Sequence, residues 1–322
     1  MPFTFLMLPP HTETTRDWGN RLAAALPSIR VVIAETNQTA EQEIASAEAA
    51  YGTLPPDLLS KAHNLRWLQS PQAAPPAGYY HRQLIDHPVV VTNMREIYND
   101  HIGAHIMAFV LAFARDFQTY IPQQLRREWK PRPLDTGIVH LPESTALIVG
   151  VGGIGAEAAR LAAAFGMRVL ATDARRKDPP PGVSELHPPE ALDTLLPRAD
   201  FTILTVPHTP ATEGFMNRDR FRRMKPTAFF INIGRGKTTR LDDLVAALRA
   251  GEIAGAGLDV FETEPLPADH PLWAMPNVLI TPHTAGFGPY LDDRRFQIIL
   301  DNCRAFETGA KLRNVVDKAN WF

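Results

Sequence analysis

Residues 145–155 read TALIVGVGGIG, a short apolar run that leads into glycines spaced as G-x-G-x-x-G. The run Ala146–Val149 is typical of a buried strand, and the alanine-rich segment 153–165 is typical of a helix. A second apolar run ends at Asp173, eighteen positions after Gly155. Strand, glycine turn, helix and acidic residue in this order favour a dinucleotide-binding unit over a turn without a ligand.

Each glycine of this stretch has its own expected role. Gly150 permits the tight turn, Gly152 lets the backbone approach a pyrophosphate, and Gly155 lets helix and strand pack closely. The pyrophosphate then meets the N–H groups and the partial positive charge at the start of the helix. The sequence therefore predicts a dinucleotide cofactor at this turn.

The choice between NAD and NADP depends on the residues around Asp173. A carboxylate at this place accepts hydrogen bonds from the adenosine ribose and repels a 2′-phosphate, which favours NAD. Arg175 and Arg176 could offset that repulsion, and they could equally belong to a solvated loop. NAD is the predicted cofactor, and NADP stays open.

Composition limits the classes of function. The chain has 322 residues, 45% hydrophobic and 21% charged, with a net charge of −2 and a pI near 6.6. This is long enough for two globular domains and lacks the basic surface that a nucleic-acid partner requires. The single cysteine, Cys303, excludes an intrachain disulfide and a multi-cysteine metal site. No apolar stretch is long enough to span a membrane, so we expect a cytoplasmic protein without nucleic-acid or membrane partners.

Apolar runs alternate with helical patterns along both halves of the chain, which predicts parallel sheets. The predicted strands are 3–8, 31–34, 49–51, 67–69, 89–91, 146–149, 169–172, 202–206, 229–233, 256–260 and 278–281. The predicted helices are 18–26, 40–47, 56–62, one long helix over 100–124, then 153–165, 191–196, 217–224, 241–249 and 291–309.

Three further segments carry charged side chains directly after predicted strands. They read NIGRG over 232–236, LDVFETEP over 258–265 and TPHTAG over 281–286. Because the carboxyl ends of parallel strands share one edge of a sheet, all three segments are expected near the cofactor. Taken singly, each charged residue could be a surface or structural group; their joint order behind the glycine turn favours a site.

Together these motifs resemble the D-isomer-specific 2-hydroxyacid dehydrogenase family, over about residues 65–316. The resemblance implies an NAD(P)-dependent enzyme that reversibly reduces a small 2-oxo acid to the D-2-hydroxy acid, and a homodimer. It implies Arg235, Glu264 and His283 as the catalytic trio, with Asp259 beside the nicotinamide carboxamide. The predicted cofactor contacts are Gly150, Gly152, Gly153, Ile154, Gly155, Asp173, Arg175, Val206, Pro207, Ile233 and Asp259.

The resemblance also predicts an α/β architecture of two domains. A Rossmann-type doubly wound parallel sheet domain, residues 102–288, is inserted into a smaller flavodoxin-like α/β substrate domain, residues 1–101 and 289–322.

The reaction independently requires these residue types. Arg235 offers a planar fork that can pair with the carboxylate of a 2-oxo acid. His283 can exchange a proton with the oxygen that becomes a hydroxyl, and Glu264 can orient the ring and stabilise its charged form. Glutamate rather than glutamine at position 264 distinguishes this chemistry from that of the similar formate dehydrogenases.

Other features leave alternatives open. His101 and His105 stand four apart on a predicted helix, but hydride transfer needs no metal and we predict none. The segment Gln72-Ala73-Ala74-Pro75-Pro76 and Ala104 depart from the pattern of relatives, which leaves the substrate side chain undetermined. A non-catalytic NAD(H)-sensing protein of the corepressor type on the same fold is the alternative function.

Overall fold

The computed structural model describes residues 2–73, 75–76, 78–133 and 137–319. The chain divides into two compact units: residues 1–97 with 289–322, here the first unit, and Tyr98–Gly288, here the second unit. The second unit thus interrupts the first in sequence. The second unit begins at Tyr98, and the predicted inserted domain over residues 102–288 stays a prediction.

The first unit is built on one parallel sheet of five strands in the order β2-β1-β3-β4-β5, which is the flavodoxin-like order. The strands are β1 Thr4–Met7, β2 Arg30–Ile33, β3 Ala49–Tyr51, β4 Trp67–Gln69 and β5 Val90–Thr92. The helices are α1 Glu13–Ala25, α2 Asn37–Ile44, α3 Pro56–Leu59, α4 Arg82–Asp86 and, after the second unit, α11 Leu291–Thr308.

The second unit is built on a parallel sheet of seven strands in the order β12-β11-β10-β9-β6-β7-β8. The strands are β6 Thr145–Val149, β7 Arg168–Thr172, β8 Glu185–His187, β9 Phe201–Leu204, β10 Phe229–Asn232, β11 Gly255–Leu258 and β12 Val278–Ile280. The helices are α5 Asn99–Ala114, α6 Phe117–Leu125, α7 Gly153–Ala164, α8 Leu192–Leu195, α9 Arg218–Phe221 and α10 Leu241–Ala250. The strand order reverses between β6 and β9, which is where doubly wound sheets bind ligands.

Burial on both faces explains why the central strands of this sheet are continuously apolar. Along β6, Leu147 and Val149 join one buried cluster, whereas Ala146 and Ile148 join the other. Phe230 of β10 likewise packs in the first cluster, whereas Phe229 and Ile231, which flank it in sequence, pack in the second. The sheet is therefore covered by helices on both sides, and the predicted α/β class with Rossmann-type and flavodoxin-like sheets is confirmed.

The single long helix predicted over residues 100–124 is wrong. The structure has α5 and α6 instead, separated at Asp116, whose backbone adopts a left-handed φ of 58°. The Asp116 side chain is fully buried and pairs with Arg132 at 2.8 Å. The ion pair between the buried Asp116 and the exposed Arg132 accompanies a break that the helical periodicity does not show, since apolar residues continue on both sides.

Two short elements were not predicted. Helix α4 has only five residues, and β8 has three residues at the edge of the seven-stranded sheet. β8 is half-buried, and Glu185 in it binds Arg168, His187 and Arg198, so its polar sequence lacks the apolar run that marks the other strands.

The described residues include no helix with the length and apolar character that a membrane span requires. The cytoplasmic location stays a prediction.

Candidate active site

The glycine turn after β6 is tight and leaves open space beside Gly152. Gly150 has φ +91°, and a β-carbon on Gly155 would lie 2.0 Å from the Gly150 carbonyl oxygen, so helix α7 packs directly on the turn. A β-carbon on Gly152, by contrast, would meet nothing within 4 Å. Gly152 also begins α7 without a capping side chain. The open space and the uncapped helix start fit a phosphate group.

The carboxylate of Asp173 lies beside this turn. Its Oδ2 accepts a hydrogen bond from the Val151 N–H at 2.8 Å, and its Oδ1 accepts from the N–H groups of Arg175 and Arg176. The Arg176 Nε donates to the Val151 carbonyl at 3.1 Å. Asp173 is half-buried, so it both holds the turn in place and keeps a surface toward solvent.

Val206 connects the glycine turn to the turn that carries Arg235. A β-carbon on Gly150 would lie 2.9 Å from the Val206 side chain, and one on Gly234 would lie 2.7 Å from the Val206 carbonyl oxygen. The Pro207 carbonyl accepts from the Thr212 hydroxyl at 2.6 Å. The ends of β6, β9 and β10 therefore meet at the switch point of the sheet.

Three other predicted cofactor residues mainly have packing contacts in the structure. Ile233 is buried and Ile154 is partly buried, both in the same apolar cluster of the second unit. Gly153 lies against the side chain of Asn99, 2.6 Å from where its β-carbon would stand. Their contact with a cofactor stays a prediction.

Arg235 follows β10 in a turn that its neighbours hold tightly. Its side chain is half-buried, and its guanidinium donates to the Gly234 carbonyl at 2.7 Å. Burial lowers the pKa of Arg235 from its ordinary value, and the nearby Glu264 carboxylate opposes that change. An arginine remains charged at neutral pH in these surroundings.

Asn232 is a residue of this turn that sequence reasoning missed. It is fully buried, its Oδ1 accepts from the Gly234 N–H, and its amide donates to the Arg235 carbonyl and the Thr239 hydroxyl. A buried asparagine at the last position of an apolar strand is the signal that could have indicated it, because such a group must find partners.

Glu264 and His283 form a hydrogen-bonded pair. The Glu264 Oε2 lies 2.7 Å from the His283 Nδ1, and its Oε1 accepts from the Phe261 N–H at 3.0 Å. A β-carbon on Gly236 would lie 1.8 Å from the Phe261 carbonyl oxygen, so the Arg235 turn packs on the segment that holds Glu264. The structure thus brings the three predicted catalytic residues to the same edge of one sheet.

The pair has the arrangement of an acid–base group. Because a carboxylate only accepts, the proton of a neutral His283 ring lies on Nδ1, and Nε2 can then exchange a proton with a ligand. Both side chains are partly exposed, at 50% for His283 and 37% for Glu264, so a substrate can reach them.

Asp259 is buried beneath the His283 turn. Its carboxylate accepts from the Thr281 hydroxyl at 2.6 Å and from the N–H groups of Thr284 and Ala285 at 2.8 and 3.0 Å. Its own carbonyl accepts from the His283 N–H. The predicted contact with a nicotinamide carboxamide stays a prediction, since all these partners belong to the protein.

The two histidines considered for a metal have other surroundings. His105 lies 2.9 Å from the Thr281 hydroxyl and packs edge-on against Phe109, and the ring of His101 lies against Gly288. The described residues contain no cluster of three side chains that could hold a metal ion. Of the unusual segment at residues 72–76, Ala74 lies outside the described residues, and the Ala73 carbonyl accepts from the Asn93 side chain.

Comparison with known proteins identifies the family. The family profile described as "D-isomer specific 2-hydroxyacid dehydrogenase, NAD binding domain" matches residues 107–285, more than half of the chain. The chain belongs to this family. The sequence-based predictions of the family, of a dehydrogenase and of NAD(P) use are thereby confirmed.

Individual relatives share both sequence and fold. A glyoxylate reductase of Korarchaeum cryptofilum is 42% identical over 172 residues, which cover 53% of this chain and 51% of that protein. A D-isomer specific 2-hydroxyacid dehydrogenase of Xanthobacter autotrophicus, solved with NADPH and MES, is 30% identical with a TM-score of 0.84 and 99% coverage of both chains. An NADPH-dependent glyoxylate/hydroxypyruvate reductase of Sinorhizobium meliloti, solved with NADP and sulfate, is 27% identical with a TM-score of 0.77 and covers 100% of this chain and 99% of that one.

Proposed function

We propose that this protein reversibly reduces a small 2-oxo acid to the D-2-hydroxy acid, with Arg235, Glu264 and His283 as its catalytic residues. The observation that carries the proposal is the convergence of a half-buried arginine and a carboxylate-backed histidine at the sheet edge that also holds the glycine turn. An anion-binding fork, a proton-exchanging ring and a dinucleotide cradle are the three parts that this reaction needs.

The cofactor site that we propose is centred on the glycine turn. Gly150, Gly152 and Gly155 supply the cradle, Asp173 and Arg175 border the adenosine end, and Val206 and Pro207 border the path toward Arg235. A bound nicotinamide dinucleotide supplies or accepts the hydride. Asp173 favours NAD, because its carboxylate would repel a 2′-phosphate. The NADP-bound relatives leave NADP as the second cofactor to be tested.

The residues of this chain have complementary tasks in the reduction. Arg235 binds the carboxylate of the 2-oxo acid and so orients the adjacent carbonyl. His283 gives its proton from Nε2 to the carbonyl oxygen as the carbon gains the hydride, which makes the hydroxyl group. Glu264 stabilises the charged ring before that transfer and keeps the Nδ1 proton in place afterwards. The oxidation follows the same path in reverse.

The relatives support a small substrate, since they are named for glyoxylate and hydroxypyruvate. Turnover should therefore be measured with glyoxylate, hydroxypyruvate, pyruvate and longer 2-oxo acids, each with NADH and with NADPH. We expect reduction of at least one member and a preference for NADH. If NADH binds but no 2-oxo acid is reduced, the protein is the NADH-sensing type and the proposed reaction is wrong.

We also propose that the protein is a homodimer joined through the second unit. Helix α6 presents Phe117, Ile121 and Leu125 on one face, exposed at 50, 51 and 80%. Trp129, just beyond α6, is 95% exposed. A cluster of large apolar side chains of this kind is typical of an interface.

A further inference from the structure

A chain of hydrogen bonds leads from helix α5 to the turn that carries His283. The His105 Nε2 lies 2.9 Å from the Thr281 hydroxyl, which lies 2.6 Å from the Asp259 Oδ1. The same carboxylate accepts from the backbone N–H groups of Thr284 and Ala285. Asp259 is 1% exposed, so its carboxylate is shielded from bulk solvent.

The chemistry of the groups fixes the direction of each bond. An ionised carboxylate only accepts, so the Thr281 hydroxyl gives its one proton to Asp259. The Thr281 oxygen must then accept, and His105 must carry a proton on Nε2. Burial of the ring lowers the pKa of His105 and so favours the neutral ring, and the accepting Thr281 oxygen then sets the tautomer.

The turn that this chain holds has an unfavourable backbone conformation. His283 has φ +55°, in the left-handed region that residues with a β-carbon seldom adopt. Such a conformation persists where the surroundings determine it. The backbone carbonyl of Asp259 accepts a hydrogen bond from the His283 N–H. Its carboxylate accepts from the N–H groups of Thr284 and Ala285.

We propose that Asp259, Thr281 and His105 are positioning residues, which hold the His283 turn so that the ring meets Glu264 and the substrate. The network rests on the proposed catalytic role of His283. It assigns Asp259 a task that is separate from its predicted contact with the nicotinamide carboxamide. In that arrangement the three side chains never touch the substrate and act only through His283.

Thr281→Val tests the proposal, because valine keeps the shape of threonine and removes the hydroxyl. A matched control is Thr202→Val: Thr202 lies on β9 of the same sheet, is fully buried, and has a hydroxyl without a hydrogen-bond partner among the described residues. Thr281→Ser retains the hydroxyl and removes only the methyl group. The three variants and the wild type should be compared for kcat, KM and NADH affinity.

We expect Thr281→Val to lower kcat by about tenfold or more, since small displacements of a catalytic group are costly. NADH affinity and KM should change by less than about threefold, and Thr281→Ser and Thr202→Val should keep most of the wild-type kcat. Equal kcat in both valine variants would overturn the proposal. So would weaker NADH binding with unchanged kcat, which would place Asp259 at the cofactor instead.

Hydrogen exchange of the backbone provides a second readout that needs no turnover. The N–H groups of Thr284 and Ala285 should exchange faster in Thr281→Val than in the wild type and in Thr202→Val. If the wild type reduced no 2-oxo acid, the proposed function would fail, while this measurement would still decide whether the network holds the turn. Unchanged exchange at these two amides would overturn the network itself.

Discussion

Arg235 leaves the end of β10 half-buried, in a turn fixed by the buried side chain of Asn232. These surroundings orient the guanidinium before an anion binds. A planar fork in a set direction can pair with a carboxylate through two parallel hydrogen bonds, which a lysine ammonium cannot do.

Arg235→Ala should therefore raise KM for the 2-oxo acid by about 10- to 150-fold, because a charge-assisted pair contributes about 1.5–3 kcal/mol. Arg235→Lys should recover only part of this loss. Steady-state kinetics at saturating NADH measure both. An unchanged KM in Arg235→Ala would show that the substrate carboxylate is held elsewhere.

Two glycines of the cofactor turn differ in what a methyl group would meet. Gly152→Ala places a β-carbon in open space, so the thermal midpoint should stay near that of the wild type while NADH binding weakens. Gly155→Ala places one 2.0 Å from the Gly150 carbonyl oxygen and should lower the midpoint by several degrees. Calorimetry and NADH titration separate the two effects. An unchanged NADH affinity in Gly152→Ala would contradict the proposal that this turn binds the cofactor.

At the residue scale, the sequence predicted the charged residues of the motifs. It missed the neighbouring residues whose hydrogen bonds hold these motifs in place. Arg235, Glu264 and His283 were predicted as the catalytic trio from the family resemblance of the motifs that carry them, and their catalytic roles stay a prediction. Thr281 gave no signal, since its role depends on which strands become neighbours. Asn232 gave only that of a polar residue at the end of an apolar strand, and His105 was considered only for a metal. Asp259 was predicted with a cofactor contact, whereas its structural partners are the hydroxyl and N–H groups of the turn after β12.

Among the elements, β8 shows how an ion-pair cluster secures a short edge strand. Glu185 binds Arg168, Arg198 and His187, and the hydrogen bond from Arg198 is the main cause that lowers the pKa of Glu185 from 4.5 to about 2. A depressed carboxyl pKa adds stability that is present above the unfolded value and is lost as the pH falls through the folded value.

Glu185→Gln should consequently lower the free energy of unfolding at pH 7 by about 1 kcal/mol, the upper range for partly exposed pairs. The difference from the wild type should shrink as the pH falls from about 4.5 toward 2, as measured by urea unfolding. Glu190→Gln, at an exposed position in the same region, is the control. A difference that stays constant down to pH 2 would show that packing, and not charge, secures β8.

The element predictions were accurate where burial leaves a pattern and failed where it does not. β3 and β4 begin and end at the predicted residues, because both are short and fully buried. The break between α5 and α6 was missed, because Asp116 and Arg132 stand far enough apart in sequence that their ion pair is invisible to periodicity.

For the whole molecule, the apolar face of α6 yields the clearest test of assembly. The wild type should have twice the 35.7 kDa mass of one chain in light scattering, and Leu125→Glu should shift it toward one chain. Phe165→Glu, at another exposed apolar residue of the second unit, should leave the mass unchanged. A wild type with the mass of one chain, or a dimer that tolerates Leu125→Glu, would contradict this interface.

The architecture was predictable from sequence because alternating apolar runs and helices permit few parallel folds, and the family resemblance selected among them. Substrate identity was not, because a substrate pocket depends on loop geometry that has no period in the sequence. The sequence of residues 72–76, which departs from the pattern of relatives, has no such period.

The proton donor is the part of the mechanism that a single substitution tests most directly. His283→Ala should lower kcat for 2-oxo acid reduction by about 10²- to 10⁴-fold while the dissociation constant for NADH, measured by fluorescence titration, stays within about twofold. His63→Ala, at an exposed histidine of the first unit, should change neither value. Reduction by His283→Ala at the wild-type rate would show that the proton comes from another group and that the assignment of this site is wrong.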